Sequence, residues 1–234
     1  MKLTLLTVAA LALVACAPTA VDTSDQKTPG SSAATVPAKL SARQARANFA
    51  AVVNRVEPVA EAQCRANSPE LNCDFNIVVI ANSRLPPNAF QTQDRAGRPI
   101  IGFTISLIRD ARNQDELAFV MGHETAHHIA RHLEKQRQSA IAGQIIGGLA
   151  AQGLGGDFDA GRQIGATIGA RAYSKSNELE ADALGTVIAR RAGYDPVKGA
   201  QFFTRIPDPG DIFLGTHPPN AARIETVRRV NSRL

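Results

Sequence analysis

The residues His123-Glu124-Thr125-Ala126-His127 follow the pattern H-E-x-x-H. On an α-helix, residues i and i+4 share one face, so both imidazoles can reach a single metal ion. Glu124 lies next to that face, where its carboxylate can accept a proton from a metal-bound water. Two histidine ligands and an open coordination position are typical of a catalytic zinc site rather than a structural one.

The residues around this motif favour a helix. Asn113 and Glu116 have the spacing of a capping box, which marks a helix start. Apolar residues then recur at helical spacing, namely Leu117, Val120, Met121 and Ile129. A helix that merely carries two surface histidines has a similar local pattern. The zinc hypothesis therefore needs a third ligand from elsewhere in the chain.

A later helix is predicted to supply the third ligand. Metzincin proteases would have a glycine at position 130 and a histidine at position 133, but this chain has Ala130 and Leu133. Glu178 and Asp182 are four residues apart and share a face of the helix predicted over 174–192. We expect Glu178 to complete a site for one Zn²⁺ per chain, and Asp182 to accept a hydrogen bond from a ligand imidazole. Without the upstream motif, this acidic pair would indicate only a solvated helix.

Several stretches together resemble the zinc metallopeptidase family of the CAAX prenyl endopeptidases, a gluzincin family, and within it the branch of soluble periplasmic lipoproteins. The matching residues are 88–90, 115–127, 131–132, 173–174, 178–182, Gly185, 192–196, 216–219 and Arg223. The resemblance implies His123, His127 and Glu178 as zinc ligands and Glu124 as the catalytic base. It also implies that His217 lies near the metal and that Arg223 helps to line the catalytic site.

The roles of several neighbouring residues stay open at this stage. His217 or Arg223 can stabilise the oxyanion of the tetrahedral intermediate, since both lie on one late segment. Alternatively, His217 occupies the fourth zinc position and keeps the enzyme silent until a substrate or partner displaces it. His132 is expected to be a structural hydrogen-bonding residue, and His128 to face away from the metal. Glu180 is expected to point to the opposite side of its helix from the ligand carboxylate.

The first 38 residues are expected to form a targeting and tethering segment. Residues 1–15 have one early positive charge and a short apolar run, as in a secretory signal peptide. Cys16 directly follows that run, as in a bacterial lipobox, and is predicted to carry the lipid; an ordinary cleavage site is the alternative. Residues 16–38 then read as a lipidated, flexible tether. Because Ala17 is not an aspartate, we expect anchoring to the outer membrane, facing the periplasm.

Cysteine usage and charge agree with that compartment. Cys64 and Cys73 remain after lipidation of Cys16, and an even pair in an oxidising compartment predicts a disulfide.

The chain carries 26 basic and 21 acidic residues, a net charge of +5 spread along its length. With no Trp and only two Tyr, it offers neither the charge nor the aromatic surface for strong nucleic-acid binding.

The predicted fold is an α+β, mainly helical, zincin-like single domain over residues 39–234, with a small β-sheet beside the motif helix. A helix is predicted over 40–67, with Pro58 bending or dividing it. Strands are predicted over 75–81 and 99–107, and a final helix over 221–230. In zinc peptidases, a strand just before the motif helix usually forms the sheet edge that pairs with substrate. A core strand with no substrate role is the alternative reading of 99–107.

Residues 139–171 form an unusually glycine-rich segment. Polar residues interrupt it too often for a transmembrane helix. Two loosely packed helices with a turn at 153–156 fit the pattern. Such a segment serves as a lid over the site, as a hairpin that docks on a membrane or partner, or as a poorly ordered insert.

These features favour a zinc-dependent endopeptidase of the bacterial envelope. Its expected substrates are misfolded or misassembled periplasmic and outer-membrane proteins, and the envelope assembly machinery is an expected partner. The alternative is a chaperone-like lipoprotein that binds clients and cleaves them rarely or under a gate. A zinc hydrolase of cell-wall peptides is less favoured, because the sequence has no recognisable glycan-binding module.

Overall fold

Eight α-helices and a three-stranded sheet make up the described part of the chain. The computed structural model describes residues 40–172, 174–208 and 218–234. The helices are α1 (Ala42–Asn67), α2 (Ile105–Asp110), α3 (Gln114–Ile129), α4 (His132–Gly153), α5 (Phe158–Ala172), α6 (Ser174–Arg191), α7 (Pro196–Gly199) and α8 (Asn220–Asn231), with a 3-10 helix at Ala200–Thr204. The strands are β1 (Asn76–Ile80), β2 (Ala89–Gln93) and β3 (Pro99–Thr104). None of the described helices combines the length and the apolar composition that a transmembrane span requires.

Helix α3, which carries the H-E-x-x-H motif, lies at the centre of the fold. It begins after Asn113, whose side chain accepts a hydrogen bond from the Glu116 backbone N–H, as the sequence predicts. Twelve of its sixteen residues are buried, because α1, α6 and α7 pack around it and β2 and β3 lie beside it. A helix enclosed in this way holds its side chains in fixed positions, which suits a site that requires precise geometry.

Helix α1 covers one side of α3 and is not divided at Pro58. Ser41 and Gln44 form a complete capping box at its start. Pro58 removes one backbone donor, yet the helix continues because Val56 and Ala60 on either side are fully buried against the core. A prediction that Pro58 divides this helix is therefore wrong: tertiary packing outweighs the local cost of the proline.

The sheet order is β1-β3-β2, with β1 parallel and β2 antiparallel to β3. The strand just before the motif helix, β3, is thus the central strand, and the reading of 99–107 as a substrate-binding edge is wrong. The predicted strand over 99–107 is also too long, because β3 ends at Thr104. The Thr104 side chain accepts a hydrogen bond from Leu107 N at the start of α2. The edge nearest α3 is β2, a strand with a weak sequence pattern.

The glycine-rich segment forms a hairpin of two helices, α4 and α5, joined by a short turn in which Gly155 has φ 74°. The packing between them is tight rather than loose. A Cβ atom on Gly143 would overlap the carbonyl oxygen of Gly165, and one on Gly169 would overlap that of Ser139. Large aliphatic side chains on the outer surfaces stay exposed, including Ile141, Ile145, Ile146, Leu149 and Ile164.

The fold class is as predicted: a mainly helical α+β domain with a small sheet beside the motif helix. The sequence also predicts the disulfide, and the structure contains a bond between Cys64 and Cys73, whose Cα atoms lie 5.6 Å apart. This bond ties the last turn of α1 to the segment that leads into β1. It therefore fixes the sheet to the helix that packs on α3.

Candidate metal centre

Three predicted ligands meet at one point. His123 and His127 lie on successive turns of α3, with their Nε2 atoms 3.0 Å apart. Glu178 comes from α6, and its carboxylate oxygens lie 3.5 Å from His123 Nε2 and 3.4 Å from His127 Nε2. One ligand atom from each residue lies within 4.8 Å of the others. Two imidazole nitrogens and one carboxylate oxygen are a donor set that fits tetrahedral zinc with one open position.

The spacing of α3 and α6 depends on two glycines. A Cβ atom on Gly185 would lie 2.8 Å from the backbone nitrogen of His123, and one on Gly122 would lie 2.8 Å from the Gly185 carbonyl oxygen. Because neither residue has a side chain, the two backbones touch. Glu178 lies two helical turns before Gly185 on the same face of α6. This contact therefore sets how closely its carboxylate approaches the two histidines.

We expect Gly185→Ala to destabilise the metal-free protein by about 1–3 kcal/mol, because the added methyl group forces the helices apart. Zinc affinity should fall as well, since Glu178 moves with α6. Denaturant unfolding and competition with a chromogenic chelator measure the two effects. Gly153→Ala is the matched control, because, apart from its own helix backbone and chain neighbours, no heavy atom of the described residues lies within 4 Å of a Cβ added there. Equal unfolding midpoints for the two variants would contradict this account of the helix spacing.

A buried ion pair lies behind His123. Asp182 is fully buried, and its Oδ1 atom lies 2.9 Å from His123 Nδ1. Arg223 of α8 donates to both carboxylate oxygens, from Nε at 2.8 Å and from Nη2 at 2.7 Å. The hydrogen bond from His123 Nδ1 leaves Nε2 free to face the metal position. Arg223 Nη2 also lies 3.4 Å from Glu178, so this guanidinium borders the ligand set.

The two imidazoles differ in protonation when no metal is bound. Burial lowers the pKa of His123, but hydrogen bonds with Asp182 and Glu178 outweigh it and raise the pKa to about 9. Burial and the neighbouring His123 together lower the pKa of His127 to about 3. Metal binding at neutral pH therefore displaces a proton from His123, whereas His127 is already in the neutral form that binds metal.

The ligand set lies in an open cleft of about 570 Å³. Glu124 lines this cleft beside the ligands, as expected of a residue that handles protons there. Residues from β2, α4, the 3-10 helix and α8 also line the cleft, including Ala89, Phe90, Leu133, Gln136, Phe202, Phe203 and Arg223. The cleft thus joins the sheet edge to the base of the glycine-rich hairpin.

Other histidines of the sequence lie in different places. His128 is buried, and its Nε2 atom lies 2.9 Å from the carbonyl oxygen of Asn72, away from the ligands. His132 contacts His127 directly, and Glu180 contacts His132. Sequence reasoning did not connect these two residues to the site, although the position of His132 five residues after a ligand is a usable signal. His217 lies outside the described residues, as do Cys16 and the predicted tether.

Comparison with known proteins identifies the family. Residues 46–231, most of the chain, match the sequence profile described as peptidase family M48. The chain belongs to peptidase family M48. This confirms the resemblance to zinc metallopeptidases that the motifs indicate, and membership of the family implies a metal at the site.

Curated relatives of the chain include bacterial and mitochondrial proteases. The beta-barrel assembly-enhancing protease of Yersinia pestis is 28% identical over 180 residues, which cover 70% of this chain and 36% of that protein. The protein of the same name in Escherichia coli (strain K12) is 31% identical over 140 residues, covering 53% and 28%. Mitochondrial metalloendopeptidase OMA1 of Saccharomyces cerevisiae is 27% identical over 165 residues, covering 66% and 46%. This chain therefore spans less than half the length of each of these relatives.

Proposed function

We propose that this protein is a zinc-dependent endopeptidase that hydrolyses polypeptides in the bacterial envelope. The observation that carries the proposal is the meeting of His123, His127 and Glu178 in an open cleft that Glu124 also lines. Membership of a peptidase family and relatives named as proteases support hydrolysis rather than client binding alone. The chaperone-like alternative has no comparable support among the described residues.

The chain's own residues provide the proton transfers of the reaction. His123, His127 and Glu178 would hold zinc, which would act as a Lewis acid that lowers the pKa of water and polarises a carbonyl group. Glu124 accepts a proton as the water oxygen bonds to the scissile carbonyl carbon. It then returns that proton to the nitrogen of the leaving amine as the C–N bond breaks. Arg223 or His217 would stabilise the negative charge on the carbonyl oxygen; alternatively, His217 would bind the metal before substrate arrives.

Strand β2 is the surface we propose for binding the substrate backbone. Among the described residues, it pairs with β3 on one side only, and Ala89, Phe90 and Gln91 line the cleft that holds the ligands. An extended peptide that adds to this edge gains backbone hydrogen bonds that do not depend on its sequence. Such binding suits unfolded polypeptides of many sequences, because it needs an extended segment that a folded protein does not offer.

The glycine-rich hairpin is proposed as a lid or wall of the same cleft. Leu133 and Gln136 of α4 and Ala170 of α5 border the cleft at the base of the hairpin. The exposed aliphatic side chains further along could contact apolar stretches of a misfolded substrate. Of the roles that the sequence allows for this segment, its position favours a lid or wall beside the catalytic residues.

Location and natural substrates complete the proposal. A signal peptide over residues 1–15 would direct export. Lipidation at Cys16 and a tether to residue 38 would then hold the domain at the periplasmic face of the outer membrane. The Yersinia and Escherichia relatives are named beta-barrel assembly-enhancing protease, and these names support a role for this protein in the assembly of β-barrel proteins. The proposed substrates are misfolded or misassembled periplasmic and outer-membrane proteins, with the envelope assembly machinery as a further partner.

Metal removal tests the proposal directly. We expect the zinc-loaded mature protein to cleave fluorescently labelled casein, to lose that activity with 1,10-phenanthroline, and to regain it when zinc is restored. Casein is a suitable probe because it is largely unfolded and offers extended segments. Hydrolysis that survives complete removal of zinc would contradict the proposal. Suppression of aggregation by a zinc-loaded protein that never cleaves casein would favour the chaperone instead.

A further inference from the structure

His132 lies directly behind the ligand His127 because the chain reverses between α3 and α4. Arg131, at the reversal, has φ 56°, the left-handed conformation that a non-glycine residue rarely adopts. This turn brings the first residue of α4 back against the last turn of α3. His132 is 4% exposed, and its Nδ1 atom lies 2.8 Å from His127 Nδ1.

A carboxylate lies on the other side of His132. Its Nε2 atom is 3.1 Å from Glu180 Oε2, and Lys135 Nζ is 3.2 Å from the same oxygen. Glu180 belongs to α6 and does face away from Glu178, as its helical position predicts. However, α4 begins on that side of α6. The Glu180 carboxylate therefore contacts His132, and His132 contacts the ligand His127.

The proton positions along this chain of groups are determined by the metal site. His127 Nε2 faces the other ligand atoms, so it must be free of a proton to bind metal. Its proton then lies on Nδ1 and is donated to His132 Nδ1. His132 in turn carries its proton on Nε2 and donates it to Glu180. The opposite arrangement would leave His127 Nε2 protonated and unable to bind metal.

We propose that His132 and Glu180 are positioning residues that fix the tautomer and ring orientation of His127 as a zinc ligand. This inference rests on the proposed zinc site. It gives each ligand imidazole a carboxylate behind it: His123 contacts Asp182 directly, and His127 contacts Glu180 through one imidazole. Since His132 is also the first residue of α4, the base of the glycine-rich hairpin is hydrogen-bonded to the metal centre.

Zinc affinity, measured by competition with a chromogenic chelator, tests this proposal without relying on proteolysis. His132→Phe keeps a planar ring but has no ring nitrogen, and we expect it to weaken zinc binding by about 10–100-fold. His132→Gln should recover part of the loss, because its amide can accept from His127 and donate to Glu180. Glu180→Gln should weaken binding by a smaller factor. Visible spectra of the cobalt-substituted variants should shift in the same order.

Glu134→Gln is the matched control for Glu180→Gln. Both carboxylates are about half exposed, at 46% and 52% for the side chains, but Glu134 pairs with Arg131, whereas Glu180 pairs with His132. We expect its zinc affinity to equal that of the wild type. Denaturant unfolding of each metal-free variant shows whether it is folded.

The outcomes separate this inference from the proposed function. A folded His132→Phe protein that binds zinc within twofold of the wild type would overturn the inference and leave the peptidase proposal standing. If His132→Phe does not fold, Glu180→Gln decides: weakened zinc binding supports the inference, and unchanged binding overturns it. A wild-type protein that binds no zinc would overturn both.

Discussion

Glu124→Gln is expected to bind zinc as the wild type does and to lose peptide hydrolysis by about 10²–10⁴-fold. Glu124 lines the cleft but is not one of the three groups whose donor atoms converge, so its amide leaves the ligand set intact. The amide cannot accept the proton of the attacking water or deliver one to the leaving amine. Both proton transfers are therefore lost from a site that still holds its metal.

Zinc content and casein cleavage should be measured on the same preparation of this variant. A loss of zinc together with activity would mean that Glu124 supports the ligands rather than the reaction. Glu134→Gln is again a useful control, since it removes a half-exposed carboxylate from α4 and should leave hydrolysis unchanged. Activity within tenfold of the wild type would rule out Glu124 as the main base.

The parts of the site that could be predicted from sequence depend on the spacing of residues within a single helix. The i, i+4 rule places His123 beside His127, and Glu178 on one face with Asp182. Burial of α3 and α6 then turns these two faces toward each other, with Gly122 against Gly185. Local periodicity is a sound guide here because both helices are regular over the relevant residues.

The features that sequence reasoning missed depend on how separate segments meet. The hydrogen bond between His127 and His132 requires the left-handed turn at Arg131, which no periodicity signals. The central position of β3 depends on pairing with β2, whose short run of half-buried and polar residues does not resemble a strand. In both cases the contact joins residues on two segments that are separated by a turn. Which residues meet there depends on the tertiary fold.

Asp182→Ala is expected to lower the free energy of unfolding of the metal-free protein by about 3–5 kcal/mol. Arg223 is 5% exposed and donates two hydrogen bonds to Asp182. Removing the carboxylate leaves a buried guanidinium with Glu178, 3.4 Å away, as a weaker partner. Its remaining stacking over the Phe203 ring, 3.8 Å from the ring centroid, does not replace a charged partner.

A double variant distinguishes the loss of the ion pair from the loss of packing. Asp182→Ala with Arg223→Met removes both charges and should be more stable than Asp182→Ala alone, because no buried charge is left without a partner. Asp159→Ala breaks the exposed pair with Arg162 and should cost no more than about 1 kcal/mol. If the double variant is less stable than the single one, packing of the Arg223 side chain, and not its charge, is the larger contribution. Zinc affinity should fall in both Asp182 variants, since each removes the acceptor for His123 Nδ1 and frees that ring to turn away from the metal.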